Sequence, residues 1–168
     1  MTIIGVDPGM SGGIAVINGD YHTAIKMPET EKDIADYLDS IESKFDNYTK
    51  CYIEKIHTMP TTRPERIRCS CGRYHNTLKI VQGGASQGKF MQGYGFLRGV
   101  LIALGIPFDE VTPQKWQKEF VPTKLKTETK TMHKNKLKAK AQQLFPDLKV
   151  TLATSDALLI AQHGLKNA

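Results

Sequence analysis

The sequence predicts an α/β fold, a mixed five-stranded sheet flanked by helices, and three observations carry that expectation. The chain opens on an apolar run, Ile3, Ile4 and Val6, which ends at Asp7. Pro8-Gly9 and Gly12-Gly13 then turn it into a second apolar run, the signature of a hairpin. A third extended stretch follows before any helical periodicity, so the chain begins as a three-stranded meander. From there, segments of helical spacing alternate with short apolar runs, the pattern of strands returning to one sheet.

The elements follow in order. The first strand is apolar because it is buried, and an acid at its tip is costly unless paired, hydrogen-bonded or bound to a cation. Two readings of Asp7 stand: a side chain capping its own turn through the amides of Gly9 or Met10, or a cation ligand. Tyr21 to Met27 alternates as a third strand, and Pro28 ends it. Thr30, with Asp33 three residues on, makes a capping-box-like helix start. Ile34, Leu38, Ile41 and Phe45 give that helix one core-facing stripe, and Asn47 closes it. Cys51 to Ile56 reads as a fourth strand and carries a second acid, Glu54.

Thr58–Gly84 differs in character. It holds Pro60, Pro64, Arg63, Arg66, Arg68, Arg73 and Lys79. Glu65–Ser70 and Leu78–Gln82 could pair as a small hairpin, and the stretch reads as a mobile basic excursion, an insertion at about 61–83. Gly83 to Gly88 looks like its hinge. A helix from about Gln87 to Leu104 comes next, with Phe90, Tyr94, Leu97, Leu101 and Leu104 in one stripe. Gly95 and Gly99 lie on another of its faces and would admit a second helix at close range. Ile106 to Val111 is a fifth strand, and Pro113 opens a short helix holding Trp116. A lysine-rich linker leads to a helix over about Glu128–Leu144. Thr154 or Ser155 caps the last helix, Asp156 to Leu165, and Asp156 is the third acid.

At 168 residues the chain has the length of one domain, 1–168, with a sizeable core. No apolar stretch approaches the roughly 20 residues of a membrane span, and the N-terminus has no signal-peptide pattern. Three cysteines argue against a secreted disulfide framework and for a reducing compartment, so a cytoplasmic, intracellular location is expected. Net charge is +6, with a pI near 9.2, which favours a polyanionic partner. The excess is uneven. Between Val111 and Val150 stand ten lysines (115, 118, 124, 126, 130, 134, 136, 138, 140 and 149) against Glu119, Glu128 and Asp147. Glu29 to Asp46 is acidic by contrast. Such a basic stripe is what a phosphate backbone needs for counterion release; it also reads as a solvated helix face.

If the fourth strand lies beside the first, Asp7 and Glu54 become neighbours, and the last helix can bring Asp156 to them. Clustered carboxylates cannot all stay ionised without a cation, and hard oxygen ligands select Mg²⁺, with Mn²⁺ as substitute. Two such ions, about 3.5–4 Å apart, would clamp the attacking water and leaving oxygen of a phosphodiester.

Several motifs, in order, resemble the RuvC-type Holliday junction resolvases, in their phage-like branch. They are Ile4-Gly5-Val6-Asp7-Pro8-Gly9 with Ser11-Gly12, Tyr52-Ile53-Glu54-Lys55-Ile56, and Gly93-Tyr94-Gly95 with Arg98-Gly99. Leu104-Gly105-Ile106-Pro107, Val111-Thr112-Pro113 with Lys115-Trp116, and Asp156 to Ala161 complete them. The resemblance covers nearly the whole chain apart from Thr61–Gly83. It implies a ribonuclease H-like fold, a homodimer, and Mg²⁺-dependent paired nicking of four-way or branched DNA. It implies catalytic, metal-binding roles for Asp7, Glu54 and Asp156, and places Lys115 near the scissile phosphate. The expected DNA contacts are Arg66, Arg68, Arg73, Lys115, Lys118, Lys130, Lys134 and Lys138.

One position departs from the family. Its bacterial members carry a fourth acid three residues before the last, where this chain has Ala153. Thr151, Thr154 and Ser155 offer neutral oxygens nearby, and His163 stands one helical face along from Asp156. Cys69-x-Cys71-x3-His75, with His57 nearby, invites a zinc reading, but its spacing is not a common structural-zinc pattern. A basic loop meeting DNA backbone is the simpler reading there. Trp116 and Tyr94 could stack on bases, yet helical spacing assigns both to the core. Two rivals have different consequences. A junction-binding protein without cleavage fits the missing acid. An actin-like sugar kinase shares the Asp- and Gly-bearing hairpin but needs a second nucleotide-binding domain, and no nucleotide cofactor is expected.

Overall fold

The first strand, β1 (Thr2–Asp7), buries every residue but its last, and β2 (Gly13–Asn18) returns antiparallel beside it with Asp7 opposite Gly13. β3 (Tyr21–Lys26) pairs antiparallel with β2. α1 (Glu31–Lys44) starts as the sequence indicates: the Thr30 hydroxyl accepts from the Asp33 amide and donates to its carboxylate. Its stripe of Ile34, Leu38 and Ile41 is buried. β4 (Thr49–Glu54) then runs parallel to β1, with Val6 level with Ile53. The strand ends at Glu54, two residues earlier than the sequence suggests.

The structure, a computed structural model, describes residues 1–45, 48–56, 62–80, 84–122 and 127–168. Asn47, His57, Gln82, Gly83, Lys124 and Lys126 lie outside them. The chain divides into two units, Met1–Lys55 with Gly93–Ala168, and Ile56–Gln92. The second therefore extends beyond the expected insertion at both ends. It holds β5 (Thr62–Arg68) and β6 (Tyr74–Ile80), antiparallel in a two-stranded sheet, in longer and differently paired strands than the sequence proposes.

The boundary between units falls within α2 (Gly84–Ala103). The glycine run expected as a hinge is helical from Gly84 onward, and Phe90 is exposed rather than part of the core stripe of Tyr94, Leu97 and Leu101. β7 (Phe108–Val111) pairs parallel with β4. It starts at Phe108 because Pro107 has no amide to give; its carbonyl accepts from Cys51 instead. α3 (Pro113–Gln117) opens on its proline and buries Trp116. α4 (Lys130–Leu144) begins after Thr129, whose hydroxyl caps the Met132 amide, rather than at Glu128. α5 (Ser155–Asn167) follows Thr154, whose hydroxyl engages Thr151 instead of capping the helix.

The five-stranded sheet has the order β3-β2-β1-β4-β7. Along a strand, side chains alternate between faces. Ile3, Ala15, Ile17 and Tyr52 therefore join one core with Leu158, Ile160 and Ala161 of α5, while Val16, of the opposite parity, lines a cavity together with Ile41 of α1. α5 is apolar around nearly its whole girth because it is buried on nearly all sides. Gly5 sets its distance from the sheet. A Cβ there would collide with the Ala157 carbonyl and the Ala161 backbone, so only glycine lets α5 lie so close on β1.

Candidate active site

Asp7 and Glu54 end two neighbouring parallel strands, one step beyond the level pair Val6 and Ile53. Parallel neighbours at the same level point to the same side of a sheet about 4.8 Å apart. That side is the one α5 covers, since Gly5 and Tyr52, two residues back from each acid, both lie against α5. Asp156 stands in the first turn of this helix and is 8% exposed. The three acids expected from the sequence thus share one end of the sheet.

Their surroundings make ionisation costly. Burial, then the Asp156 carboxylate, push the Asp7 carboxyl up to about 6, against opposing pulls from the Gly9 amide and the Lys134 ammonium. Burial and the Asp7 charge push Glu54 up to about 7; the Trp116 indole and Lys134 oppose this, and Asp156 adds to it. Burial raises Asp156 too, with Lys134 and the Ser155 hydroxyl acting the other way. Each acid is also held in place. The Gly9 amide lies 3.5 Å from Asp7 Oδ1, Trp116 Nε1 donates to Glu54 Oε2 at 2.8 Å, and Ser155 Oγ donates to Asp156 Oδ1 at 3.3 Å. The turn-cap reading of Asp7 is therefore realised only as a long contact. Gly12 leaves room for the carboxylate, since a Cβ there would stand 2.6 Å from Asp7 Cγ.

Two residues carry more than the sequence indicates. Trp116 is fully buried, as its spacing suggests, and it also orients Glu54. Lys134 is the cation that acts on all three acids, whereas Lys115 and Lys118 stand exposed at α3. With Gln117, Lys130, His133, Leu137 and Asp156, Lys134 lines a cavity of about 150 Å³. The four-residue spacing of Lys130 and Lys134 on α4 was the available signal; which end of the sheet that face meets was not in the sequence. Lys138, one step further, is half-buried.

The polar side chains around Ala153 have partners of their own. Thr151 and Thr154 bond to each other, 3.1 Å between hydroxyls. His163 is committed elsewhere: it is 1% exposed, lies 2.6 Å from Glu119 Oε1, and meets the Tyr52 ring edge-on. Ala153 itself sits at the edge of the site, its carbonyl 2.7 Å from a Cβ placed on Gly13.

These three carboxylates, their proton affinities raised mainly by burial, are hard oxygen donors of the kind that could hold a divalent cation. Among the described residues, the His, Cys, Asp and Glu side chains whose ligand atoms all lie within 4.8 Å of one another are Cys69, Cys71 and His75. The three acids are set wider.

The arginines expected to meet DNA divide between the two faces of the hairpin. Arg66 and Arg68 share a face with Tyr74, their guanidinium carbons 4.8 and 6.0 Å from its ring centre. Arg73 alternates to the other face, with Cys69 and His75. Among the described residues, no helix is long and apolar enough to cross a membrane.

The sheet order and the helices on it define a ribonuclease H-like fold. Within that class, the chain is similar to RuvC of Thermus thermophilus in complex with a Holliday junction substrate. The TM-score is 0.51 at 15% identity over 96% of this chain and 90% of that one. A second Thermus thermophilus RuvC structure gives 0.48 at 15% identity, covering 96% and 91%. At this identity the likeness carries the fold. No protein-family model and no curated protein matches the chain.

Proposed function

We propose that this chain is a divalent-metal-dependent endodeoxyribonuclease that resolves four-way DNA junctions, as its resemblance to the phage-like RuvC-type resolvases implies. The observation that supports this most is the meeting of Asp7, Glu54 and Asp156 at one end of the sheet, with proton affinities raised by burial and mutual repulsion. These carboxylates would hold Mg²⁺ or Mn²⁺, two ions in the full site. When bound, such ions supply an activated water and a neutralised phosphate for hydrolysis.

The chain's own residues do the rest. Trp116 and Ser155 orient Glu54 and Asp156. Lys134 lowers the cost of charging all three acids and, with Lys130, gives the adjoining cavity a cationic wall suited to a phosphate. Lys115, Lys118 and Lys138 remain candidates for backbone contacts, as do Arg66, Arg68 and Arg73 on the hairpin.

Two symmetric nicks from one site per chain call for an isologous dimer. α2 offers a surface for it: Gly95 and Gly99 are exposed, a Cβ on either meets nothing within 4 Å, and Ile102 is 67% exposed. These glycines therefore do not pack beneath the chain's own sheet. Gly99→Glu should leave a folded monomer by sedimentation, with cleavage lost. A folded, active dimer would remove α2 from the interface.

Ala153, where a fourth acid is expected, favours a second reading, a junction-binding protein without cleavage. An end-labelled mobile junction separates the two. The nuclease yields two ligatable duplexes with Mg²⁺ and an intact complex without it. Binding with no nicks in either Mg²⁺ or Mn²⁺ would leave the second reading.

A further inference from the structure

The β5–β6 hairpin buries very little. Six of the seven β5 residues are exposed, its sheet has two strands, and Ile67, Tyr74 and Leu78 are each about half exposed or more, at 48, 57 and 64%. A two-stranded hairpin of this kind is marginal in water without a staple. Ion pairing gives little help, since the Lys79–Glu65 contact is a solvent-exposed pair 3.4 Å long.

The tip of the hairpin gathers three side chains that can supply one. Ile67 lies level with His75, and the Cys69 amide donates to the Arg73 carbonyl, which continues the ladder by one step. The two-residue period of a strand puts Cys69 and His75 diagonally on one face. Gly72, at φ +82°, and its amide bond to the Cys69 carbonyl fold the turn so that Cys71 comes back over the same face. The Cys69 and Cys71 sulfurs are joined as a disulfide, and with the His75 ring they form a group whose ligand atoms lie within 4.8 Å of one another.

We propose that in its reduced form this tip is a binding site for a thiophilic dication, Zn²⁺, held by the thiolates of Cys69 and Cys71 and an imidazole nitrogen of His75. Two sulfurs and one nitrogen are donors that zinc prefers, and three protein ligands leave its fourth tetrahedral position open. Zn²⁺ replaces the two thiol protons, which pass to solvent, so the site carries no net charge. The basic character of the neighbouring Arg66, Arg68 and Arg73 is thereby undiminished. A disulfide between residues two apart closes too small a loop to stabilise the hairpin much. Metal coordination reaches across to β6 through His75 and ties both strands. The third cysteine, Cys51, is buried in the other unit and takes no part.

The test uses the full chain, reduced with a non-thiol phosphine and titrated with Co²⁺ and then Zn²⁺. The expected result is one equivalent of Co²⁺ giving a sulfur-to-cobalt charge-transfer band, displacement of Co²⁺ by Zn²⁺, and loss of thiol reactivity at Cys69 and Cys71. Cys69→Ser and Cys71→Ser should abolish the band. His75→Asn should keep sulfur ligation while weakening zinc at least about tenfold. Asp7→Asn should bind as the wild type does, which separates this site from the carboxylates. Wild-type protein with no band and no thiol protection, or a band that survives Cys69→Ser, would overturn the proposal.

Discussion

Asp7, Glu54 and Asp156 come from distant parts of the chain and meet because a parallel strand pair and one helix bring them together. Arg66, Arg68 and Tyr74 share a face of a hairpin built from nearly consecutive residues. The first group is buried or half-buried and electrostatically costly; the second is exposed and cationic. Burial is what makes carboxylates demand a cation, and exposure is what lets arginines exchange counterions with a phosphate backbone. Under the proposed function, the sheet would carry the chemistry and the hairpin the adhesion to DNA.

Exchanging the damage tests that division. Asp7→Asn should lower junction cleavage by several orders of magnitude while affinity holds or rises, because a charge that repels phosphate is gone. Replacing Arg66, Arg68 and Arg73 together by alanine should do the reverse. Affinity should fall, and the slope of log K against log salt should flatten by about 0.9 per lost contact, with single-turnover cleavage at saturation preserved. Cleavage assays and salt-dependent binding isotherms distinguish the two; matching phenotypes would break the comparison.

The lysines sharpen it. Lys134→Ala removes the cation acting on all three acids, so cleavage at neutral pH should drop roughly 10- to 100-fold and its pH profile should move upward. Lys115→Ala should have the smaller effect on cleavage, and a larger one would support the role near the scissile phosphate that the resemblance implies for Lys115.

The meander, the β4 position of Glu54 and the buried α5 were legible because short apolar runs and helical stripes report burial directly. The site was legible to the extent that its acids stand at strand ends and a helix start. Lys134 was named as a DNA contact, but its place beside the three acids was not legible, because periodicity gives the face of α4 but not what that face meets. The same limit hid the Trp116–Glu54 bond, which joins residues far apart in sequence. The hairpin register slipped because its strands lack a buried face, and without one the alternation that fixes pairing is weak. Phe90 was misassigned for a related reason: the stripe it extends is buried only from Tyr94 onward.

The most direct measurement of the central claim, that the three acids form a cation-dependent site, is thermal stability against pH with and without Mg²⁺. Asp7 and Glu54 bind protons more tightly folded than unfolded, with pKa values of about 6 and 7 against ordinary values of 3.8 and 4.5. The folded state therefore holds more protons between about pH 4 and 7, and stability falls as pH rises through that window. On the order of a few kcal/mol is at stake. Metal-free protein should melt higher near pH 5 than near pH 8, and Mg²⁺ should recover most of the loss at pH 8 but add little at pH 5. Asp7→Asn should flatten both responses. A wild-type profile that ignores Mg²⁺ at pH 8, or an Asp7→Asn variant that responds to it fully, would contradict the account.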